Sequence, residues 1–262
     1  MDLGLQGRVA LVTGSHRGTG AVIAARLAAE GATVIGHGFA PGSADALLDE
    51  GVAHVVAGDL CTDAGCEQIA QAALQSAGRI DILVNNYGTA ETCGWDEADV
   101  DTWLDMYQKN LLSAVRLIRL LSPRMRELGW GRVIQLGTIG STQPNALRPA
   151  YYAAKSALAS VAVTLSQELS GTGITVNTVS PGLIRTPEVE AAFRAKARRE
   201  GWADDWPLIE SRIVAKRFPN PLGRIATREE VADLVCFLAS ERAGFINGQN
   251  LRIDGGALGI VQ

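Results

Sequence analysis

A tyrosine and a lysine four positions apart form the segment with the clearest potential for chemistry. Tyr151 and Lys155 lie one helical turn apart in the helical pattern of residues 150–169, so their side chains share one face. That face continues with the apolar residues Leu158, Ala162, Leu165 and Leu169. Lys155 therefore interrupts an apolar stripe. An ammonium group beside a partly desolvated phenol lowers the pKa of the phenol, so the pair is predicted to act as a general acid/base. The alternative is a solvated lysine beside two helix-surface tyrosines.

A glycine-rich segment is a second candidate site, in this case for a phosphate group. Residues 13–20 read Thr-Gly-Ser-His-Arg-Gly-Thr-Gly, and they lie between a predicted strand and the helical pattern of residues 21–30. Glycine permits a tight turn and close approach of the backbone. A helix N-terminus offers free N–H groups and a partial positive charge to a pyrophosphate. The order strand, loop, helix and second strand therefore predicts a dinucleotide-binding loop. Gly14 and Gly18 are separated by three residues, which departs from the Gly-x-Gly-x-x-Gly pattern.

Both segments lie within a regular alternation of β-rich and helical patterns. The predicted strands are residues 8–13, 33–36, 53–57, 80–85, 131–136, 175–180 and 250–253. The predicted helices are residues 19–30, 42–50, 64–77, 98–121, 150–169 and 228–239, with a helical insertion after Pro187. This alternation is typical of a parallel sheet with helices on both faces. The predicted fold is therefore α/β, of the doubly wound Rossmann type, with seven parallel strands.

Composition and charge restrict the possible classes of protein. The chain has 262 residues, of which 47% are hydrophobic and 20% are charged, and no Pro/Ser-rich or charge-rich stretch divides it. One domain over residues 1–262 is therefore predicted. A net charge of -4 without a Lys/Arg stripe argues against nucleic acid or an anionic membrane as the main partner. No apolar run approaches membrane-spanning length, and residues 1–8 lack the features of a signal peptide, so a cytoplasmic protein is predicted.

The cysteine and histidine pattern predicts no metal site. The chain has four cysteines that form no Cys-x-x-Cys pair and three histidines that are scattered along it. Structural zinc sites need such side chains at short, regular spacings. Structural thiols are expected at Cys61, Cys66, Cys93 and Cys236.

Four motifs in order resemble those of the short-chain dehydrogenase/reductase family. They are TGxxxGxG at residues 13–20, Asn85-Asn86-Tyr87-Gly88, Tyr151-x-x-x-Lys155 and Pro181-Gly182. The resemblance covers essentially the whole chain and implies hydride transfer between a nicotinamide cofactor and a ketone or secondary alcohol. It implies the catalytic residues Asn110, Thr138, Tyr151 and Lys155. The implied cofactor contacts, besides Tyr151 and Lys155, are Gly14, Ser15, His16, Arg17, Gly18, Thr19, Gly20, Gly38, Asp59, Leu60, Asn86, Gly88, Pro181, Gly182, Ile184 and Thr186.

The resemblance also implies a role for each catalytic residue. Tyr151 would move the alcohol proton, while Lys155 would bind the nicotinamide ribose and lower the pKa of Tyr151. Asn110, within the apolar helix of residues 100–121, would lie at a local helix irregularity and hold a water that links Lys155 to solvent. The alternative for Asn110 is an exposed helix asparagine, because asparagine is a poor helix former.

Three positions leave alternatives open. Thr138 stands where the family normally has serine, and it keeps the hydroxyl while adding a methyl group; Ser141 is the alternative hydroxyl. Tyr152 is the alternative to Tyr151, although it points about 100° away from the stripe. Tyr87 replaces the usual alanine, and it is expected either to pack at the strand end or to stack on the cofactor.

NADP(H) is the expected cofactor, with NAD(H) as the alternative. A family member that uses NAD is expected to have aspartate at the end of the second strand, where a carboxylate repels a 2′-phosphate. This chain has Gly38 there, and Arg17, His16 and His37 could all approach that edge. Arg17 also stands where many relatives that use NADP have a basic residue.

Residues 186–221 are predicted to form a lid, whose aromatic residues are expected either to enclose an apolar pocket or to pack on one another. These are Phe193, Trp202, Trp206 and Phe218. A small or medium free ketone is predicted. A β-ketoacyl carrier-protein reductase is an alternative, although Trp130 and Thr172 stand where such relatives tend to have basic residues.

Two hypotheses from other functional classes remain, and the family resemblance also predicts an oligomeric state. The chain could be an NADP-binding sensor without turnover, or a structural protein that uses the fold alone. By resemblance a homotetramer, or a dimer, is expected. Its subunit contacts would involve helices 98–121 and 150–169 and the tail of residues 257–261.

Overall fold

A computed structural model describes residues 2–261, and its centre is a seven-stranded parallel sheet. The strands are β1 (Val9–Val12), β2 (Thr33–Gly38), β3 (His54–Ala57), β4 (Ile82–Asn85), β5 (Gly131–Leu136), β6 (Ile174–Pro181) and β7 (Asn250–Ile253). Their order is β3-β2-β1-β4-β5-β6-β7, and every neighbouring pair is parallel. The predicted fold class is confirmed, and each predicted strand end lies within two residues of the observed one.

Eight α-helices in the described residues connect or flank these strands. They are α1 (Gly18–Ala29), α2 (Asp63–Ala77), α3 (Val100–Tyr107), α4 (Ser113–Leu128), α5 (Pro149–Glu168), α6 (Pro187–Arg199), α7 (Trp206–Arg217) and α8 (Arg228–Ala239). None of the helices within residues 2–261 combines the length and the apolar composition needed to cross a membrane.

Two helical predictions need correction. Residues 42–50 contain only a 3₁₀ helix, Asp45–Glu50, rather than an α-helix. The predicted helix 98–121 is divided into α3 and α4 by a π-helical turn, Gln108–Leu112, and α4 runs on to Leu128. It ends before Gly129, whose φ of 68° is typical of a glycine that terminates a helix.

The helices cover both faces of the sheet, as the near-continuous apolar strands require. On one face, Ile23 and Leu27 of α1 and Val235 of α8 belong to one core cluster with Val12 and Val84. The opposite face has a second cluster, which α2, α4 and α5 cover with Ile69, Leu117 and Ala162. A third, separate cluster lies between α6 and α7.

The strand order reverses between β1 and β4, and their carboxyl ends therefore open a crevice. The side-chain amide of Asn86 holds the two ends together, because its Nδ2 donates to the carbonyl oxygens of Thr13 at 2.9 Å and Gly14 at 3.2 Å. The Thr13 hydroxyl in turn accepts a hydrogen bond from the Asn86 backbone N–H at 3.0 Å. Ligands of doubly wound sheets bind at such a reversal.

Candidate active site

The glycine-rich loop forms an open anion cradle at this crevice. Gly14 and Gly18 have φ values of 59° and 63°, which favour glycine. No side chain caps the N-terminus of α1, so its first N–H groups are free to bind an anion. A Cβ on Gly20 would overlap the Asn86 amide and the Gly14 carbonyl. The loop geometry therefore fits a pyrophosphate.

His37 supports this loop from inside the protein. Its Nδ1 accepts a hydrogen bond from the Gly14 N–H at 3.0 Å, so the proton is on Nε2, which faces the Gly58 carbonyl at 3.1 Å. The Ser15 hydroxyl also faces inward, since it accepts from the His37 N–H at 2.8 Å. Burial lowers the pKa of His37 to about 4. The expectation that His37 approaches the ribose edge is therefore wrong, because the ring is buried and neutral.

The end of β2 has no acidic group. A Cβ on Gly38 would overlap the Ser43 hydroxyl, so a side chain at this position would require Ser43 to move. Arg17 is exposed at the start of α1, and no carboxylate within residues 2–261 forms an ion pair with it. His16 packs edge-on against Phe39, with 5.9 Å between ring centroids.

Tyr87 is packed against neighbouring side chains at the end of β4. Its ring centroid lies 4.8 Å from that of Phe39, and its hydroxyl lies 3.7 Å from Cys61 Sγ. Burial raises the pKa of Tyr87. These contacts fit the packed aromatic that was one of the two expectations.

Asp59 and Leu60, which follow β3 and Gly58, have opposite environments. Asp59 is exposed, and its carboxylate accepts a hydrogen bond from the Cys61 N–H at 2.9 Å. The Leu60 side chain is fully buried in the core cluster under α2. Of Leu60, only the backbone could contact a ligand.

Lys155 lies in a small cavity of about 140 Å³ at the carboxyl ends of β4, β5 and β6. The cavity is lined by Thr19, Asn86, Gly88, Thr89, Ala90, Leu136, Gly137, Tyr151, Lys155, Pro181 and Ile184. Lys155 is 4% exposed, and its Nζ donates to the Leu136 carbonyl at 2.6 Å. The alternative of a solvated surface lysine is therefore wrong.

The pKa of Tyr151 differs from the expectation. Burial raises the pKa of Tyr151 to about 12, although the charge of Arg148 and the nearby Thr138 hydroxyl act in the opposite direction. Burial also lowers the pKa of Lys155 to about 8. The expected lowering of the Tyr151 pKa is wrong for this structure, because desolvation of the phenol outweighs the effects of Arg148 and Thr138, and Lys155 is not among the groups that shift this pKa.

Asn110 lies in the π-helical turn and is buried rather than exposed. Its Oδ1 accepts from the Thr89 N–H at 3.1 Å, and its Nδ2 donates to the Met106 carbonyl at 3.1 Å. A Cβ on Gly88 would overlap Asn110 Oδ1 and lie 3.0 Å from Lys155 Nζ. The structure therefore brings Asn110 and Lys155 together beside the backbone of Gly88, and the exposed alternative for Asn110 is wrong.

A larger cavity of about 600 Å³ adjoins the smaller one. The two share Gly137, Tyr151, Pro181 and Ile184 as lining residues. Thr138 lines the larger cavity, whereas Ser141 lines neither and donates its hydroxyl to the Thr138 carbonyl at 2.7 Å. Tyr152 also lines the larger cavity, and its hydroxyl accepts from Asn145 Nδ2 at 3.1 Å. Of the two tyrosines, Tyr151 alone lines both cavities.

The segment after β6 closes the larger cavity. Gly182 and Thr186 join the shared residues Pro181 and Ile184 in its wall, and the Thr186 hydroxyl caps α6 by accepting from the Val189 N–H at 3.2 Å. Among the lid aromatics, only Phe218 lines the cavity. Phe193, Trp202 and Trp206 pack in the separate cluster of α6 and α7. The expectation of self-packing helices therefore describes most of this segment.

Several lining residues were not identified from the sequence, and Thr89 and Arg148 are the two whose polar groups bear on the site. Thr89, in the smaller cavity, follows the Asn85–Gly88 motif directly and offers no signal of its own. Arg148 lines the larger cavity, and its position in the sequence could have identified it. It immediately precedes α5, where the helix dipole disfavours a positive charge.

Comparisons with known proteins cover nearly the whole chain. A family model described as enoyl-(acyl carrier protein) reductase matches residues 14–257. D-β-hydroxybutyrate dehydrogenase from Cupriavidus necator is 34% identical, over 96% of this chain and 98% of the relative. The 3-oxoacyl-(acyl-carrier-protein) reductase FabG from Escherichia coli is 33% identical, over 97% and 98%.

A solved structure has the same overall fold. The crystal structure of L-sorbose reductase from Gluconobacter frateurii, complexed with NADPH and L-sorbose, superposes with a TM-score of 0.91. It is 33% identical, and the match covers 100% of both chains.

Proposed function

Because this chain belongs to the short-chain dehydrogenase/reductase family, we propose that it is an oxidoreductase that interconverts a ketone and a secondary alcohol with NADP(H). The observation that carries the proposal is the position of Tyr151 in the wall shared by the two cavities. A proton-transferring group there can reach a substrate while facing the site of the nicotinamide. The names of relatives that act on hydroxybutyrate, 3-oxoacyl groups and sorbose support the same reaction class.

The residues of the two cavities have separate tasks in this proposal. The N–H groups at residues 14–20 bind the pyrophosphate, and Lys155 binds the nicotinamide ribose through its buried ammonium. When bound, the cofactor supplies the hydride. Thr138 orients the substrate carbonyl by a hydrogen bond, and Tyr151 donates the proton to the carbonyl oxygen. Asn110 provides the link from Lys155 toward solvent.

NADP(H) is favoured over NAD(H) by the end of β2. Gly38 leaves no carboxylate to repel a 2′-phosphate, and Arg17 is exposed and available to bind it. A solved relative with NADPH supports this assignment. We expect a higher kcat/KM with NADPH than with NADH, measured with one ketone. A preference of about tenfold for NADH, equal to about 1.4 kcal/mol, would contradict it.

The function itself is tested by assaying a panel of ketones and alcohols with both cofactors. Oxidation of NADPH that depends on both the protein and a ketone is expected. Binding of NADPH, measured by its fluorescence, without turnover of any panel member would instead support the sensor alternative.

A 3-oxoacyl carrier-protein reductase is the second candidate, because such a relative is 33% identical over 97% of this chain. Trp130 stands where a basic residue would favour an acidic carrier protein, and the two arginines at its ring do not replace that residue, because Arg132 is buried and Arg8 is paired with Glu241 at 2.7 Å. We therefore favour a small or medium free ketone. Comparison of carrier-bound and free 3-oxo substrates separates the two candidates.

We also propose that the chain forms a single catalytic domain with a lid at residues 186–221, and that it assembles as a homotetramer. The single seven-stranded sheet supports one catalytic domain, and family membership supports the tetramer. A cytoplasmic location is proposed from the same resemblance.

A further inference from the structure

The larger cavity contains a positive charge without a partner in the protein. Arg148 is half-buried and lines this cavity together with Tyr151, one helical turn further along the chain. Its Nε donates to the Thr92 hydroxyl at 3.1 Å. Within residues 2–261, its two terminal nitrogens form no hydrogen bond and no carboxylate forms an ion pair with it. Among the described residues, the guanidinium is thus held at Nε by Thr92, whereas its two terminal nitrogens are free to bind a ligand.

The other charged groups of the cavity have partners or are exposed. Arg224 Nη1 donates to Glu230 at 2.8 Å. The Asp254 carboxylate accepts hydrogen bonds from two backbone N–H groups, at 2.9 and 3.0 Å. Arg217 forms no ion pair among the described residues, but it is exposed at the end of α7. Water screens an exposed charge more strongly, so Arg148 is the cation best placed to bind a ligand in this cavity.

The free edge of Arg148 favours a planar anion. A guanidinium binds a carboxylate through two parallel N–H···O hydrogen bonds. Since Thr92 occupies only the Nε of Arg148, the two terminal nitrogens can form that pair. The charge of Arg148 also acts on Tyr151, where it lowers the pKa. Arg148 is therefore close to the group that would meet the substrate carbonyl.

We propose, resting on the function proposed above, that the substrate is a short keto acid or hydroxy acid whose carboxylate is bound by Arg148. Arg148 is then a residue that determines specificity. During reduction the carbonyl carbon gains the hydride from the nicotinamide, the carbonyl oxygen gains the proton from Tyr151, and the carboxylate is unchanged.

The test compares short linear keto acids with the corresponding primary amides, which have the same shape but no charge. With NADPH, we expect kcat/KM of the wild type to be about tenfold to a hundredfold higher for an acid than for its amide, as a charged hydrogen-bonded pair gives. Arg148→Gln should bring this ratio close to one, and Arg148→Lys should retain part of it. The ratio isolates recognition of the carboxylate, because Tyr151 serves both substrates.

Arg124→Gln is the matched control, since Arg124 is an exposed arginine of α4 away from both cavities. It should keep the wild-type ratio.

A wild-type ratio near one overturns the proposal. A ratio that survives Arg148→Gln but is lost in Arg217→Gln also overturns it. Preference for a ketone with a phosphomonoester over the acid overturns the choice of a carboxylate. Turnover of neutral ketones without preference for acids contradicts this inference alone, whereas no turnover of any ketone contradicts the proposed function as well.

Discussion

Tyr151 and Tyr152 are adjacent in sequence but differ in the cavities that they line. Tyr151→Phe removes the hydroxyl that faces both cavities, so kcat should fall about 10²- to 10⁴-fold, while the Kd of NADPH stays close to the wild-type value. Tyr152→Phe removes only a hydrogen bond from Asn145 and should retain most of the activity. Steady-state kinetics and fluorescence titration measure both effects. A larger loss of kcat in Tyr152→Phe than in Tyr151→Phe would assign proton transfer to Tyr152.

The buried Lys155 ammonium is expected to lower the free energy of unfolding, although the proposed function requires it to bind the ribose. Burial lowers its pKa from 10.5 to about 8, so at pH 7 the folded protein holds an ammonium that its surroundings disfavour. Lys155→Met removes this cost. We expect the free energy of unfolding at pH 7 to increase by up to about 3 kcal/mol, while turnover is lost because nothing binds the ribose.

The pH dependence of this gain distinguishes it from an effect of packing. Above pH 8 the folded wild type releases the Lys155 proton, whereas the unfolded chain keeps its proton until about pH 10.5. The stability contributed by this group in the wild type therefore rises over this range, and the advantage of Lys155→Met should shrink toward pH 10. Urea unfolding of both proteins at pH 7 and pH 10 measures the difference. An advantage of equal size at both pH values would contradict the explanation.

At the scale of elements, the loop after β4 and the π-helical turn depend on each other through Gly88. A Cβ at this position would overlap the Asn110 amide and approach Lys155 Nζ to 3.0 Å. Gly88→Ala should therefore lower kcat/KM about 100-fold or more, as displacement of positioned groups does, with the circular dichroism spectrum unchanged. Gly94→Ala in the same loop is the control, because its Cβ would have no neighbour closer than 4.0 Å. Equal activities of the two variants would show that the close contact is unimportant.

The regular elements were predictable because their patterns are local. β5 and β7 begin and end at the predicted residues, since β5 contains the consecutive β-branched pair Val133 and Ile134 and β7 alternates polar and apolar residues. The glycine loop was predictable because only its neighbours, a strand and a helix, were needed to interpret it. Thr138 in the cavity wall also follows the prediction, as it stands at a fixed interval before Tyr151.

The remaining features depend on contacts between distant segments. The irregularity at Asn110 was expected only from the family resemblance, since the π-helical turn leaves no trace in apolar periodicity when the helix continues on both sides of it. The inward orientation of His37 depends on Gly14 and Gly58, which lie on different connections. The pKa of Tyr151 was predicted in the wrong direction, because the sequence shows the neighbouring charge but not the extent of desolvation.

At the scale of the whole molecule, α3 and the loop before it expose three large apolar side chains. The exposed fractions are 66% for Trp95, 73% for Val100 and 58% for Leu104. Apolar clusters of this kind often mark protein interfaces. We expect light scattering to give about four times the chain mass of 27.6 kDa, and Leu104→Arg to lower that mass. Leu48→Arg, at an apolar residue that is 46% exposed on the 3₁₀ helix, is the control. A wild-type mass of one chain would contradict the proposed assembly.

The wall common to the two cavities has a consequence for chirality. A trigonal carbonyl carbon has two mirror-related faces. When its oxygen is held by Tyr151 and Thr138 and the carboxylate substituent is held by Arg148, only one of these faces can be turned toward the smaller cavity. Reduction of a prochiral ketone should therefore yield one enantiomer, and a racemic alcohol offered in the oxidative direction should stop reacting when half of it has been consumed.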